Sequence, residues 1–320
     1  MRKVSVLQTG GPDVLQLVSI ASPVPDRNEI LVDVHAAGVN YVDVYQREGH
    51  IELPKPYTPG LEGVGTVAKA GAGVGQFKVG DRVAWINTMG SYSEQITLPV
   101  EQVIRIPGEF TVAESMLFQG VTAQYLLAEY RTTRPGDVVL VHAAAGGVGQ
   151  ILVQWLKHLG ATVIATASSP EKLQTALSLG ADHAIDYRDG FLKEVLDITS
   201  GRGVDLALDA VGATTFDDTV KALARRGTAI SYGRASGTAP DVEVLPLILK
   251  GARVAGASLF EYIEDSTEMQ GRAAAVIQAV QEGWLRLPTT TSFPLAQASD
   301  AHRAIQGRGT QGKLILVTKQ

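Results

Sequence analysis

The chain has 320 residues, 45% hydrophobic and 19% charged, and its 28 Lys and Arg against 33 Asp and Glu give a net charge of −5. That length allows about two domains with cores of their own, while weak acidity and the absence of any Lys/Arg cluster remove the electrostatic case for nucleic acid. With no cysteine, no signal-peptide core after Met1-Arg2-Lys3 and no apolar run near the roughly 18 residues of a membrane span, a cytoplasmic protein is expected, without nucleic-acid or membrane partners.

Up to about residue 117 the pattern is short apolar runs at 3–8, 14–18, 29–37, 63–70, 82–86 and 91–98, read as strands. Turn signals separate them, including Gly10-Gly11-Pro12, Pro23-Val24-Pro25, Gly71-Ala72-Gly73 and Gly80-Asp81. Spacing this tight predicts an irregular, barrel-like β domain.

From about residue 118 strands alternate with helices. Residues 138–141, 162–167, 183–187, 204–209, 227–232 and 253–258 read as strands, with helical patterns at 148–159, 170–179, 191–199 and 215–224 and an apolar segment at 244–250. Six strands with crossovers predict a doubly wound parallel sheet. Beyond residue 259 come a helical stretch at 267–282 closed by Gly283, short strands, a helix near 298–306 and a strand at 313–318. The order assigns residues 118–258 to a nucleotide-binding domain inserted into a second domain made of 1–117 and 259–320.

The run His142-Ala143-Ala144-Ala145-Gly146-Gly147-Val148-Gly149 joins the strand at 138–141 to the next helix. Within it, Ala144, Gly146 and Gly149 keep the spacing of a dinucleotide fingerprint whose first glycine is alanine. Gly146 lets the backbone approach a pyrophosphate, which the N–H groups of Gly147 and Val148 face at the positive end of the helix, and Gly149 lets the helix pack close to the sheet.

Arranged in this order, with Gly10 to Leu15, Gly38-Val39-Asn40-Tyr41-Val42-Asp43-Val44-Tyr45, Pro59-Gly60-Leu61-Glu62-Gly63, Gly80-Asp81-Arg82-Val83 and Gln119-Gly120-Val121-Thr122-Ala123, the chain resembles the medium-chain dehydrogenase/reductase superfamily. Within it the chain is similar to the zinc-independent quinone oxidoreductases, the zeta-crystallin-like family. The resemblance spans nearly the whole chain. It implies an α/β fold with a GroES-like β-rich catalytic domain plus a Rossmann domain, the cofactor lying in the cleft between them.

Zinc-dependent relatives supply a cysteine where this chain has Asn40 and a histidine where it has Leu61, and they carry a four-cysteine lobe that has no counterpart here. The six histidines show no ligand spacing, and Glu62 alone does not hold zinc. No metal is expected. Without a Lewis acid, an acceptor that spreads the incoming negative charge by conjugation is favoured over a simple ketone, so the reaction expected is hydride transfer to quinones or α,β-unsaturated carbonyls.

NAD-binding sheets place an acid at the end of the second strand, for the ribose 2′-OH. This strand ends Ala167-Ser168-Ser169, with Lys172 beyond it and Tyr187-Arg188 closing the third strand. A missing acid and an added cation point to NADPH; in the family, lysine and tyrosine at the positions of Lys172 and Tyr187 bind the 2′-phosphate. The resemblance also implies that Asn40 and Tyr45 line the nicotinamide end, Asn40 by its amide and Tyr45 as hydrogen-bond or proton donor. It further places Gln119 and Thr122 against the cofactor, and Tyr232, Gly233 and Arg234 at the nicotinamide ribose.

His50 stands where many zinc-free relatives have a tyrosine, the presumed proton donor of related enoyl reductases, which argues against enoyl-thioester reduction. The alternatives to an NADPH:quinone reductase are that enoyl-thioester or alkenal double-bond reduction, and a non-catalytic NADPH-binding role like that of lens crystallins. The last Rossmann strand, residues 253–258, is expected at a sheet edge, where pairing with its copy makes a homodimer.

Overall fold

The computed structural model describes residues 1–307 and 309–318. The N-terminal segment carries strands β1 (Arg2–Val6), β2 (Leu15–Ser19) and β3 (Glu29–Val39), helix α1 (Tyr41–Glu48), and strands β4 (Glu62–Ala70), β5 (Arg82–Ile86), β6 (Gln95–Pro99) and β7 (Val103–Arg105). The central segment runs α2 (Phe118–Glu129), β8 (Val138–Val141), α3 (Gly147–His158), β9 (Thr162–Ala167), α4 (Pro170–Ser178), β10 (His183–Asp186), α5 (Leu192–Ile198), β11 (Val204–Asp209), α6 (Phe216–Lys221), β12 (Leu223–Ser231), α7 (Val244–Lys250) and β13 (Arg253–Gly256). Helix α8 (Ser266–Gln281), strand β14 (Thr290–Pro294), helix α9 (Ala298–Gln306) and strand β15 (Lys313–Val317) complete the described chain.

Two compact units result: one of residues 1–118, 263–274 and 287–320, the other of 119–262 and 275–286. The first is built on a sheet ordered β14-β15-β3-β4-β5-β7, with β6 also paired to β3, and β1 and β2 form a separate hairpin. β3 is its spine. Its alternating Ile30, Val32 and Val34 pack with Val67, Val83, Trp85 and Leu98 into one buried cluster, as the period of two in a half-buried strand requires. Register slips beside Val32 and between Val34 and Ala36 bend it, curving the sheet as bulges do.

Residues 41–48, to which the strand-and-turn pattern assigns no element, form α1. Their inward face carries Asp43, Gln46 and Arg47 beside Val44, so no apolar stripe announces the helix. Gly49 ends it at φ +86, which only glycine adopts without strain. The strand expected at 91–98 is confined to Gln95–Pro99, because the Gly90 and Ser91 N–H groups turn to the Gly60 carbonyl.

The second unit holds a six-stranded sheet ordered β10-β9-β8-β11-β12-β13. All its neighbours are parallel. The order reverses between β8 and β11, the switch point of a doubly wound sheet, where ligands bind beyond the strand carboxyl ends. The strands at β8, β9 and β11 coincide with the predicted runs. Helix α6 is shorter than expected because β12 begins at Leu223.

Candidate active site

In the nucleotide-binding unit, β8 delivers His142 to the fingerprint turn. The ring is fully buried: Nδ1 lies 2.8 Å from Thr166 Oγ1 and Nε2 2.9 Å from Thr219 Oγ1. Thr219 and Thr215 both donate to Asp209 Oδ2, and the Val211 and Gly212 N–H groups bond Oδ1 at 2.7 and 3.0 Å. Thr219 spends its proton on Asp209, so it accepts from His142 Nε2–H, and Nδ1 accepts from Thr166. Burial holds the His142 pKa below its ordinary value. This network ties the ends of β8, β9 and β11 together under the turn.

Above it, Ala143 takes φ +50, a costly conformation for a residue with a Cβ. Gly146 is the N-cap of α3, making Gly147, Val148 and Gly149 its first turn, whose N–H groups have no intrahelical acceptor. A Cβ on Gly149 would collide with the Ala143 carbonyl and Ala144 backbone, so this glycine sets how closely α3 approaches the turn. A Cβ on Gly147 would lie 2.7 Å from the Gln119 side chain. Gln119, in the first turn of α2, thus lies beside the fingerprint turn, and Thr122 is buried one turn later.

β9 ends at the buried Ala167, and Ser168 beyond it is the first partly open position. Ser169 caps α4, accepting the Lys172 N–H at 3.4 Å. Burial lowers the pKa of the Lys172 amine, as for any ammonium moved out of water. Tyr187 opens the turn after β10, packed against the core cluster of this unit. Arg188 folds back on Asp186, with Nε 3.0 Å from both carboxylate oxygens, so its charge is already matched.

Tyr232, Gly233 and Arg234 follow β12. Their loop is laced to the one after β11: the Tyr232 N–H bonds Asp209 O at 2.9 Å and the Ser236 N–H bonds Val211 O at 2.8 Å. Burial and the nearby Asp209 push the Tyr232 phenol pKa upward. A Cβ on Gly233 would press into Ala210.

In the other unit, Asn40 sits between the end of β3 and α1 and is 6% exposed. Its Oδ1 accepts from Lys313 Nζ at 2.8 Å and its Nδ2 donates to Glu62 Oε2 at 3.2 Å. Lys313 Nζ also lies 2.5 Å from Glu62 Oε2, and Glu62 Oε1 accepts the Phe118 N–H at 2.9 Å. Sequence reasoning singles out Asn40 and sets Glu62 aside as a lone carboxylate that does not hold zinc, but it misses Lys313. The available signal is a lysine heading the apolar run Leu314-Ile315-Leu316-Val317.

Behind Asn40 runs a second buried chain. Asp43 Oδ2 accepts the Asn40 backbone N–H at 2.9 Å and the Tyr92 hydroxyl at 3.0 Å. His302 Nε2 lies 3.0 Å from Tyr92 Oη, and Nδ1 3.3 Å from an Arg47 nitrogen. Arginine only donates, so Nδ1 accepts and Nε2–H donates to Tyr92. Burial pushes Asp43 up to about 7 and His302 down to about 3. Tyr45 is half-buried on the outer side of α1, its ring centroid 6.1 Å from that of Tyr41. His50 is exposed, 3.5 Å from Glu48 Oε2.

The donor set does not suit zinc. Asn40 and Leu61 replace a thiolate and an imidazole, and Glu62 is already paired with the Lys313 ammonium. Among the described residues no group of three or more His, Cys, Asp or Glu clusters as metal ligands do, and no helix is long and apolar enough to cross a membrane.

Residues 26–133 match the family described as alcohol dehydrogenase GroES-like domain, and residues 147–277 the one described as zinc-binding dehydrogenase. The chain is 38% identical to a probable quinone oxidoreductase of Schizosaccharomyces pombe, over 99% of this chain and 97% of the relative. It is 37% identical to a 2-haloacrylate reductase of a Burkholderia species, over 96% of each. Among solved structures, the Escherichia coli quinone oxidoreductase complexed with NADPH superposes with a TM-score of 0.94 at 33% identity, covering 99% of this chain and 100% of that one.

Proposed function

This chain belongs to the zinc-independent quinone oxidoreductases of the medium-chain dehydrogenase/reductase superfamily, and from that premise we propose that Asn40 and Tyr45 serve hydride transfer from NADPH to a quinone or related conjugated carbonyl. The observation that carries the reading is the end of β9, where Ser168 and Lys172 stand in place of the carboxylate that would repel a 2′-phosphate.

The residues fit the cofactor. Gly146, Gly147, Val148 and Gly149, with Ala144 beneath them, hold the pyrophosphate on the first turn of α3; Ser168, Lys172 and Tyr187 hold the 2′-phosphate. Gln119 and Thr122 flank the fingerprint, and the loop of Tyr232, Gly233 and Arg234 serves the nicotinamide ribose. When bound, NADPH supplies the hydride. Apart from Asn40, the residues that bind it fall within 118–258, the cofactor-binding domain of this reading.

With the ammonium of Lys313 already bound to Glu62, the site offers no metal to a carbonyl oxygen. The acceptor must carry the incoming charge itself, which quinones and enones do by conjugation. The remaining N–H of the Asn40 amide and the Tyr45 phenol supply hydrogen bonds to the oxygen where that charge collects. The likeness to a 2-haloacrylate reductase adds conjugated acids to the candidate acceptors.

A homodimer completes the reading. Helix α7 buries none of its residues, and Val244, Leu245, Ile248 and Leu249 are 57–73% exposed. Beside it β13 forms the sheet edge. Four large apolar side chains, each worth about 1.5–3 kcal/mol when buried, together with an open strand edge, suit a second copy of this chain. A cytoplasmic setting accompanies the NADPH requirement.

The test is NADPH oxidation with 1,4-benzoquinone, 9,10-phenanthrenequinone, 2-chloroacrylate and crotonyl-CoA in parallel. Turnover of a quinone well above crotonyl-CoA is expected. NADPH binding without turnover of any acceptor would establish the non-catalytic alternative instead.

A further inference from the structure

The central strand β3 ends Gly38-Val39 before Asn40, and its register with β15 pairs Leu314 with Val39 and Ile315 with Gly38. One step further, Lys313 stands across from Asn40. On the other side β4 pairs Gly63 with Ala37, which sets Glu62 beside Gly38. A Cβ on Gly38 would collide with the Glu62 carboxylate and lie 2.7 Å from Lys313 Nζ. The missing side chain at Gly38 is therefore what admits a lysine and a glutamate, each 1% exposed, to the same face behind Asn40.

An ammonium has three donors and no acceptor. The Asn40 side-chain atom 2.8 Å from Lys313 Nζ must be the oxygen, and the nitrogen must face Glu62. An asparagine amide has two orientations differing by a half-turn. Here the charges on either side permit one. One Nδ2 hydrogen goes to Glu62 Oε2, leaving the second as the only side-chain donor.

We propose that Lys313, acting with Glu62, is a positioning residue that locks the Asn40 amide as a hydrogen-bond donor toward the reacting oxygen. The proposal rests on the reading that Asn40 acts at the reaction centre. It makes the buried cation a fixture of the site without contact to substrate: Lys313 orders the amide, and the amide meets the oxygen on which charge develops. A site built this way favours acceptors with a bare carbonyl oxygen over ones that need a hydrogen bond accepted.

The test is a cycle of variants of the full-length enzyme, with steady-state 1,4-benzoquinone reduction and NADPH binding by fluorescence as readouts. Glu62→Gln combined with Lys313→Met removes both charges together, avoiding an unpaired buried ion. It is expected to bind NADPH within about twofold of wild type while kcat falls about tenfold, as loss of a transition-state donor without loss of ground-state binding requires. In an Asn40→Ala background the same pair of changes should slow kcat by no more than about twofold further, because Lys313 acts through Asn40. Lys313→Arg, which keeps a buried cationic donor, should retain at least about a third of kcat.

Wild-type kcat in the double variant, with Asn40→Ala slow, would overturn the positioning role. So would full additivity with Asn40→Ala. Should the double variant not fold, Lys313→Arg decides: a folded, NADPH-binding enzyme whose kcat has collapsed overturns the proposal. Asn40→Ala as fast as wild type would instead remove the role of Asn40 itself, a result distinct from failure of Lys313.

Discussion

The Tyr92 hydroxyl donates to Asp43 across 3.0 Å in a pair shielded completely from solvent. Because Asp43 also accepts the Asn40 N–H, its protonation state bears on the residue proposed to serve hydride transfer.

Burial raises the Asp43 pKa from 3.8 to about 7. The folded chain thus binds a proton there more tightly than the unfolded one, so Asp43 contributes stability that is full below about pH 4 and lost as pH rises through about 7. Asp43→Asn removes this dependence. Thermal melts from pH 5 to 8 should show the Tm of the variant gaining on wild type as pH rises; parallel curves would refute the buried ionisation.

His302 has the opposite sign. Its pKa falls from 6.5 to about 3 on burial, with Arg47 adding repulsion. The neutral ring contributes stability above about pH 6.5 that is lost as pH drops toward 3. His302→Gln keeps an acceptor for Arg47 and a donor for Tyr92. In acid titration followed by circular dichroism it should unfold at lower pH than wild type.

Ser168→Asp with Lys172→Ala puts a carboxylate at the end of β9 and removes the cation. The ratio of kcat/KM for NADPH to that for NADH should fall by at least about a hundredfold, since a charge-assisted contact worth about 1.5–3 kcal/mol is replaced by repulsion. Wild-type preference for NADH would contradict the assignment of Ser168 and Lys172 directly.

Tyr45→Phe separates the two acceptor classes. A quinone delocalises the charge that it receives, so its kcat should drop less than about threefold. An enone depends more on a hydrogen bond at its oxygen, where a central donor is worth about 2–4 kcal/mol, and should lose about tenfold. Equal, unchanged rates with intact NADPH affinity would make Tyr45 structural.

The apolar face of α7 supplies the last prediction. Charging it with Ile248→Lys and Leu249→Lys should shift light-scattering mass at micromolar protein from dimer to monomer, with NADPH binding retained. A wild-type monomer would leave α7 without the partner proposed.

The sequence by itself determined the central strands and the fingerprint turn of the parallel sheet. β8 is an unbroken apolar run, β9 and β11 are apolar but for two residues each, the fingerprint joins β8 to α3 with glycine wherever a Cβ would strike backbone, and the absence of an acid after Ala167 is legible without coordinates. These are local signals, written within one turn or one strand. Tertiary structure alone decided the rest. Helix α1 is hidden in the sequence because its buried face is polar, and that face is stabilised where Tyr92 arrives from a distant segment to pair with Asp43, and His302 and Gln306 to pair with Arg47. Lys313 reads as a surface residue at the start of a strand, 273 residues from Asn40. Its role arises where β15 is set against β3, because a buried ammonium is stable only beside the carboxylate and amide that the sheet register brings to it.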